Sequence, residues 1–501
     1  MIPRSLLALC VIGTLGPIDE WSEYATLSRD VDPDKRCQAI DKIKRHKDLK
    51  MAQALLALLG DAHPRVRHRA MTAIRTSTDA AIPRFLSEKG LKHGNRHVRQ
   101  CALQALSSLE DPSTTAAIIE RLGDSEPEVR VQACDTLASR STGDALGPLN
   151  ALFAKEREGT VRAAAFDAVM RIDTAQIVEI AEKAVADKAY QVRMLAVEFA
   201  PKLTVDLAIK VCMPCIKDPD WRVRSAAIQA SREIRNRECL GGLIDQFQKE
   251  NGRLRWEILG ALQDLSGRDL GPDPKPWKTW WNAAKDSFDP PAKCNGAGAV
   301  IGSTQSEFFS VPILSTRILF IIDLSGSMRD PAPGKQSLTK LQAAKDGMCC
   351  TIKSLDEEVR FGIAGIGSDD DGVYVQREQK TWRKHLLLWP ASPANKGDAE
   401  KWVKGVEAKG WTNLWDAIEY GFSDADVDTV FLYTDGGVSR GVWVAAGELL
   451  SELRRMNRFR RIHINTIEVP GSSANSPDNI KLLRDIAHET GGIYRLAGEK
   501  K

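Results

Sequence analysis

Through the first half of the chain, apolar and polar positions repeat with a long period. The pair Val-Arg recurs at Val66-Arg67, Val98-Arg99, Val129-Arg130, Val161-Arg162, Val192-Arg193 and Val223-Arg224, with Lys35-Arg36 before and Leu254-Arg255 after, in steps of 31 or 32 residues. Four residues after the first member of each pair stands a small residue: Ala39, Ala70, Ala102, Ala133, Ala165, Ala196 and Ala227, with Ile258 the exception. Four further on, an apolar residue is usual, as in Ile74, Leu106, Leu137, Val169 and Leu262. Such spacing draws one stripe along a helix, and alanine at its centre lets a neighbouring helix approach closely. Turn signals such as Asp61-Ala-His-Pro64, Asp124-Ser-Glu-Pro127 and Asp218-Pro219 precede these helices, as N-termini require. An apolar segment before each turn, such as Ala54 to Leu59, predicts the other helix of the pair. A unit of two helices that cannot bury its face alone predicts an α-solenoid.

An acidic column accompanies the arginines. Asp30, Asp61, Asp124, Glu156, Asp187 and Asp218 stand six residues before an arginine, while His93 and Lys249 break the pattern. A ladder of arginines is able to grip phosphates, but acids at a fixed offset favour ion pairs within the stack. These columns resemble the HEAT-like repeat family over residues 20–265, and the resemblance implies a scaffold whose surface engages proteins. Beyond Leu265, Pro276-Trp-Lys-Thr-Trp-Trp281 is expected to close the end of the stack, which places the solenoid at 20–285. The Pro- and Gly-rich stretch 286–314 reads as a linker.

From residue 315 the pattern becomes that of an α/β domain. Ile318 to Ile322 is a continuous apolar run, as a strand buried on both faces requires. Further strands are expected at Val359–Gly365, Val373–Val375, Val430–Tyr433, Ile462–Ile467 and Gly492–Arg495, with helices between them. Ser368-Asp-Asp-Asp-Gly372 reads as a turn and not as a calcium loop. Alternating strands and helices predict a doubly wound, Rossmann-like sheet, with ligands beyond the carboxyl ends of its strands. Three segments reach that edge: Asp323-Leu-Ser325-Gly-Ser327, Thr412 at the start of a helix, and Asp435 after a buried strand. Two carboxylates and three hydroxyls make an all-oxygen donor set, which suits a hard divalent cation. Magnesium keeps water in such sites, leaving a position for a partner's carboxylate.

Residues 315–501 resemble the von Willebrand factor type A (vWA) family. Its metal-ion-dependent adhesion motif is Asp-x-Ser-x-Ser, then a distant Thr and a distant Asp, which fall here on Asp323, Ser325, Ser327, Thr412 and Asp435. The resemblance implies that these five bind Mg²⁺ (or Mn²⁺ or Ca²⁺), directly or through water, and that a protein partner presents an Asp or Glu carboxylate to the ion. Trp411 departs from the family, where glycine commonly precedes the threonine. The combined reading is a non-enzymatic interaction scaffold.

Charge and motifs bear on the alternatives. With 70 basic and 67 acidic residues the net charge is +3, which points to no polyanionic partner. A nucleic-acid-binding solenoid therefore stands second, beside a metal-dependent hydrolase acting at the same carboxylates. A haloacid-dehalogenase-type phosphatase would need an acid where Ser325 stands, and Gly334-Lys335 lacks the leading glycine of a phosphate-binding loop. Ten cysteines in 501 residues make no disulfide scaffold, and Cys212-Met-Pro-Cys215 and Cys349-Cys350 read as buried thiols. Residues 1–19 read as an export signal or an N-terminal cap, so the expectation is a periplasmic, surface or secreted protein, with a cytoplasmic one as the alternative. No apolar run is long enough to span a bilayer.

Overall fold

Burial follows the stripe that the repeat pattern draws. In the helix Pro64–Arg75 the stripe residues Val66, Ala70 and Ile74 are buried, as are Val98, Ala102 and Leu106 in Arg96–Leu106. Val129, Ala133 and Leu137 repeat this in Pro127–Ser139, and Val161, Ala165 and Val169 in Gly159–Ile172. Each large aliphatic side chain so buried contributes about 1.5–3 kcal/mol. Starts are fixed locally: Pro64 and Pro127 occupy the first turn, and Asn95 caps its helix by accepting the His97 N–H.

The computed structural model describes residues 19–291, 306–332, 335–366, 373–375, 388–439, 441–470 and 476–498. The expected signal segment, except its last residue, and the Ser368–Gly372 turn lie outside the described residues. Two compact units are present, Met1–Thr174 and Ala175–Lys501. The first consists of helical repeats. The second holds the remaining repeat helices, as far as Pro274–Ala284, and the α/β region. Among the described residues no helix is long and apolar enough to cross a membrane.

In the second unit Trp277 is fully buried and donates its indole N–H to the Gly271 carbonyl, with Trp280 edge-on to it. Trp281 lies against Gly241 of the helix Arg237–Phe247, where any side chain would crowd the indole. The tryptophans thus cover the last repeat.

The strands are β1 (Glu307–Phe308), β2 (Val311–Pro312), β3 (Arg317–Asp323), β4 (Pro331–Ala332), β5 (Lys335–Thr339), β6 (Arg360–Ile366), β7 (Val373–Val375), β8 (Trp389–Pro390), β9 (Thr429–Thr434), β10 (His463–Glu468) and β11 (Tyr494–Leu496). The main sheet has the order β11-β10-β9-β3-β6-β7, with β8 also on β6. Pairs among β3, β6, β9, β10 and β11 are parallel, whereas β7 and β8 run antiparallel to β6. The sheet is therefore mixed, where the sequence led us to expect a Rossmann-like one. Alternate residues of β3 feed two cores: Ile318, Phe320 and Ile322 on one face, Leu319 and Ile321 on the other.

Part of the stretch expected to be a linker is built into this domain. β1 and β2 form an antiparallel pair, and Phe308 is fully buried against Phe320 and Phe431. Gly347, in the helix Lys340–Ser354, makes room for the Phe309 ring, with which a Cβ would collide. Repeat helices of the second unit also hold the sheet. Arg253 donates to the Asp428 and Arg461 carbonyls, at the starts of β9 and β10, and pairs with Glu257. Glu198 pairs with Arg458 and Arg461, and the Arg253 and Arg317 guanidiniums each lie 4.8 Å from the Trp221 ring centre. Cys212 and Cys215 are buried free thiols, and burial pushes Cys215 up to about 12. Cys350 corrects the expectation: it is exposed on the helix whose buried face carries Cys349.

Candidate metal centre

Chain order decides where the site falls. From the central β3 the chain goes to β6 on one side, then crosses to β9 on the other. Neighbouring parallel strands β3 and β9 thus leave the sheet edge toward connections that part, and a crevice opens where they do. Asp323 is the last residue of β3, and Asp435 follows the last residue of β9.

Backbone hydrogen bonds tie three loops together at this edge. The Gly326 N–H donates to the Gly410 carbonyl at 3.1 Å, and the Lys409 N–H to the Leu324 carbonyl at 2.7 Å. Thr412 and Ser439 bond reciprocally: the Thr412 N–H donates to Ser439 Oγ, and the Ser439 N–H to the Thr412 carbonyl. The segments holding Asp323, Ser325 and Ser327, then Thr412, then Asp435 are consequently locked to one another. Ser325 and Ser327 place their hydroxyls 3.1 Å apart.

The two carboxylates are buried, and their environments differ. Asp323 accepts the Ser325 N–H at 2.8 Å and the Thr434 hydroxyl at 2.5 Å. Burial, with the charge of Asp435, still pushes its carboxyl up to about 6. Asp435 is 1% exposed, and neither of its carboxylate oxygens has a hydrogen-bond donor among the described residues. Its nearest positive charge is the Lys340 ammonium, at 3.7 Å and itself without a hydrogen-bond acceptor. A buried carboxylate with empty lone pairs costs several kcal/mol unless something supplies positive charge. Orphaned oxygens, a second carboxylate and clustered hydroxyls fit the hard cation expected from the sequence. Among the described residues no group of three or more His, Cys, Asp or Glu is gathered as a metal cage.

The chain is similar to known proteins of two kinds. The HEAT repeats family matches residues 115–200. Human inter-alpha-trypsin inhibitor heavy chain H3 is 25% identical over 143 residues, 26% of this chain and 14% of that protein. Human von Willebrand factor A domain-containing protein 3B is 25% identical over 181 residues, 36% of this chain and 12% of that protein. The solved structure of a von Willebrand factor type A protein from Catenulispora acidiphila aligns with 36% of this chain and 38% of its own, at 19% identity and a TM-score of 0.29. Part of this chain thus matches the HEAT repeats family, and part is similar to proteins with von Willebrand factor A domains. It spans only about a seventh, or less, of the length of the curated relatives it matches.

All five residues expected in the vWA site are among the described residues, and all but Ser327 are buried. Three further side chains that were not expected as site residues bear on it: Thr434, Ser439 and Lys340. Thr434 and Ser439 flank the Asp435 segment, and only the paired loops show what they hold. Trp411, the departure from the family pattern, is 54% exposed beside Thr412.

Proposed function

We propose that this protein is a non-enzymatic interaction scaffold that captures an acidic side chain of a protein partner through a divalent ion. The ion, Mg²⁺ or else Mn²⁺ or Ca²⁺, would be held by Asp323, Ser325, Ser327, Thr412 and Asp435. The observation that carries this reading is Asp435: fully enclosed, beside a second buried carboxylate, with both oxygens lacking donors. When bound, the ion supplies a positive centre with exchangeable water positions. The chain's own groups do the rest. Thr434 and the Ser325 N–H orient Asp323, Ser439 fixes the Thr412 loop, and the hydroxyls add oxygen donors without adding negative charge. The region keeps an appetite for an anion, which an incoming Asp or Glu satisfies.

Trp411 gives the mouth of the site an apolar surface, and tryptophan is enriched among residues that dominate binding energy. The repeats provide a further protein-facing surface. A nucleic-acid reading would need free arginines, but Arg36, Arg99, Arg130, Arg193 and Arg224 are paired with carboxylates.

Affinity capture of partners by the full chain, in Mg²⁺ and in excess EDTA, tests the reading. Binding should fall with chelator, recover with Mg²⁺, and drop in Ser325→Ala and Thr412→Ala, which remove oxygens without changing charge. Partner affinity unchanged in EDTA would end the adhesion-site proposal.

A further inference from the structure

Of the ladder's carboxylates, each of Asp61, Asp124, Glu156 and Asp218 performs two tasks. It accepts the backbone N–H two residues on, which closes the turn into its own helix: His63 N–H to Asp61, Glu126 N–H to Asp124, Glu158 N–H to Glu156 and Asp220 N–H to Asp218. It also receives the Nε and Nη2 fork of the preceding repeat's arginine. Arg36 reaches Asp61 this way at 2.8 and 2.9 Å, and Arg99 reaches Asp124 at 2.8 and 2.7 Å. Two parallel N–H bonds to one planar carboxylate are the strongest contact a guanidinium makes to such a group.

One rung is broken. Where the column expects an acid, six residues before Arg99, stands His93. Its Nδ1 still accepts the Asn95 N–H at 3.1 Å, and its carbonyl still receives Arg99 Nη1, so the turn is kept. An imidazole accepting at Nδ1 carries its hydrogen on Nε2. The residue that should receive the preceding fork therefore offers a donor instead. Arg67 is the arginine whose fork the ladder sends to this rung. Its Nη1 is held by the Asp61 and Ala62 carbonyls, and among the described residues its Nε and Nη2 have no carboxylate. The bare charge reaches the neighbouring helix: burial, then Arg67 and Arg96, hold the His97 imidazole below its usual range. The loop over the rung is open, with Gly94 and Asn95 exposed and empty space where a Gly94 side chain would stand.

We propose that Arg67 and His93 form an anion site that takes the carboxylate of an Asp or Glu side chain carried by a partner protein, in the place where other repeats supply their own. The ladder selects the ligand class. Forks at equivalent positions engage two coplanar oxygens, the geometry of a carboxylate. This deepens the reading of the repeats as an interaction surface and is independent of the metal centre.

The test uses the full chain in EDTA, which silences the metal centre, so its failure leaves the adhesion reading untouched. The probe is N-acetylaspartate N-methylamide, against the neutral N-acetylasparagine N-methylamide. The Arg67 Nε–Hε resonance, assigned by its loss in Arg67→Lys, should shift saturably with the acidic compound and not with the neutral one. His93→Asp, which refills the rung from within, should abolish that response and raise the thermal midpoint. An equal response to both compounds, or a response that survives in His93→Asp, would overturn the proposal.

Discussion

Two aspartates of this chain sit in opposite regimes. Asp124, in the ladder, is buried, which alone would push its carboxyl up. Hydrogen bonds from Arg99 and the Glu126 N–H outweigh burial and leave it below the usual carboxylate range. Asp323, at the sheet edge, is pushed up to about 6 by burial and by Asp435, although Ser325 and Thr434 donate to it. At Asp61, Asp124, Glu156 and Asp218 the ladder balances a carboxylate with a guanidinium fork, and those filled rungs have nothing left to offer a ligand. The sheet edge gathers two buried carboxylates against one ammonium, Lys340, which stands 3.7 Å from Asp435. A satisfied charge network holds a shape, whereas an unsatisfied one stores binding capacity.

The largest expected effect removes that capacity. Asp323→Ala should abolish Mg²⁺ uptake in titration calorimetry, and normal uptake by this variant would refute the ligand set. The metal-free protein should pay a pH-dependent penalty at the same residue. A carboxyl raised when folded contributes stability that is full below its unfolded value near 3.8 and is lost as pH rises through about 6. The difference amounts to about 3 kcal/mol at neutral pH. In EDTA, Asp323→Ala should therefore flatten the loss of thermal midpoint between pH 4 and pH 7, and Mg²⁺ should restore stability only to the parent chain. A parent chain equally stable across that range would show that the carboxylates are compensated by some other means.

The ladder should respond in the reverse sense. Asp124→Ala strips the acceptor from the Arg99 fork, which is 10% exposed, and removes the turn contact to the Glu126 N–H. Breaking a buried pair by one partner costs about 3–5 kcal/mol, so chemical denaturation should show a loss of that order with metal uptake intact. A loss below 1 kcal/mol would mean that the repeats are held by their apolar stripe alone.

Much of this was legible in the chain. A period of 31 or 32 residues with Ala39, Ala70 and Ala102 in phase can only be a stack of helix pairs, and acids at a fixed offset announced their arginine partners. The rule failed where chain length could compensate. Lys249 looked like a broken rung, yet Glu250, one residue on and one methylene longer than Asp, reaches Arg224 at 2.6 Å. The β1–β2 pair was missed because two-residue strands show no periodicity and stand beside Pro and Gly. Nor does sequence spacing reveal that Arg253 holds the starts of β9 and β10, a contact across 175 and 208 residues. The five candidate ligands could be named because their types and chain order are distinctive. Thr434 and Lys340 act only through contacts that folding creates.

Trp411 gives the finest test of the contrast, because it separates holding an ion from using it. The side chain is exposed next to Thr412, while the loop it belongs to is anchored by the Lys409 and Gly410 backbone bonds to the Leu324–Gly326 turn. Trp411→Ala removes the exposed indole and leaves those bonds in place, so the ligand geometry and Mg²⁺ affinity should persist. Partner affinity should fall by about fivefold to 150-fold, the 1–3 kcal/mol expected when an aromatic anchor is lost from an interface. The fall should appear mainly as faster dissociation, since charge at the site still steers approach. Surface plasmon resonance of the variant in Mg²⁺ measures both rates. If partner affinity and dissociation are unchanged while Asp323→Ala abolishes binding, the partner reads the ion alone and the tryptophan lies outside the footprint. If metal uptake falls together with partner affinity, the indole is shaping the Thr412 loop, and the substitution for the family's glycine is structural.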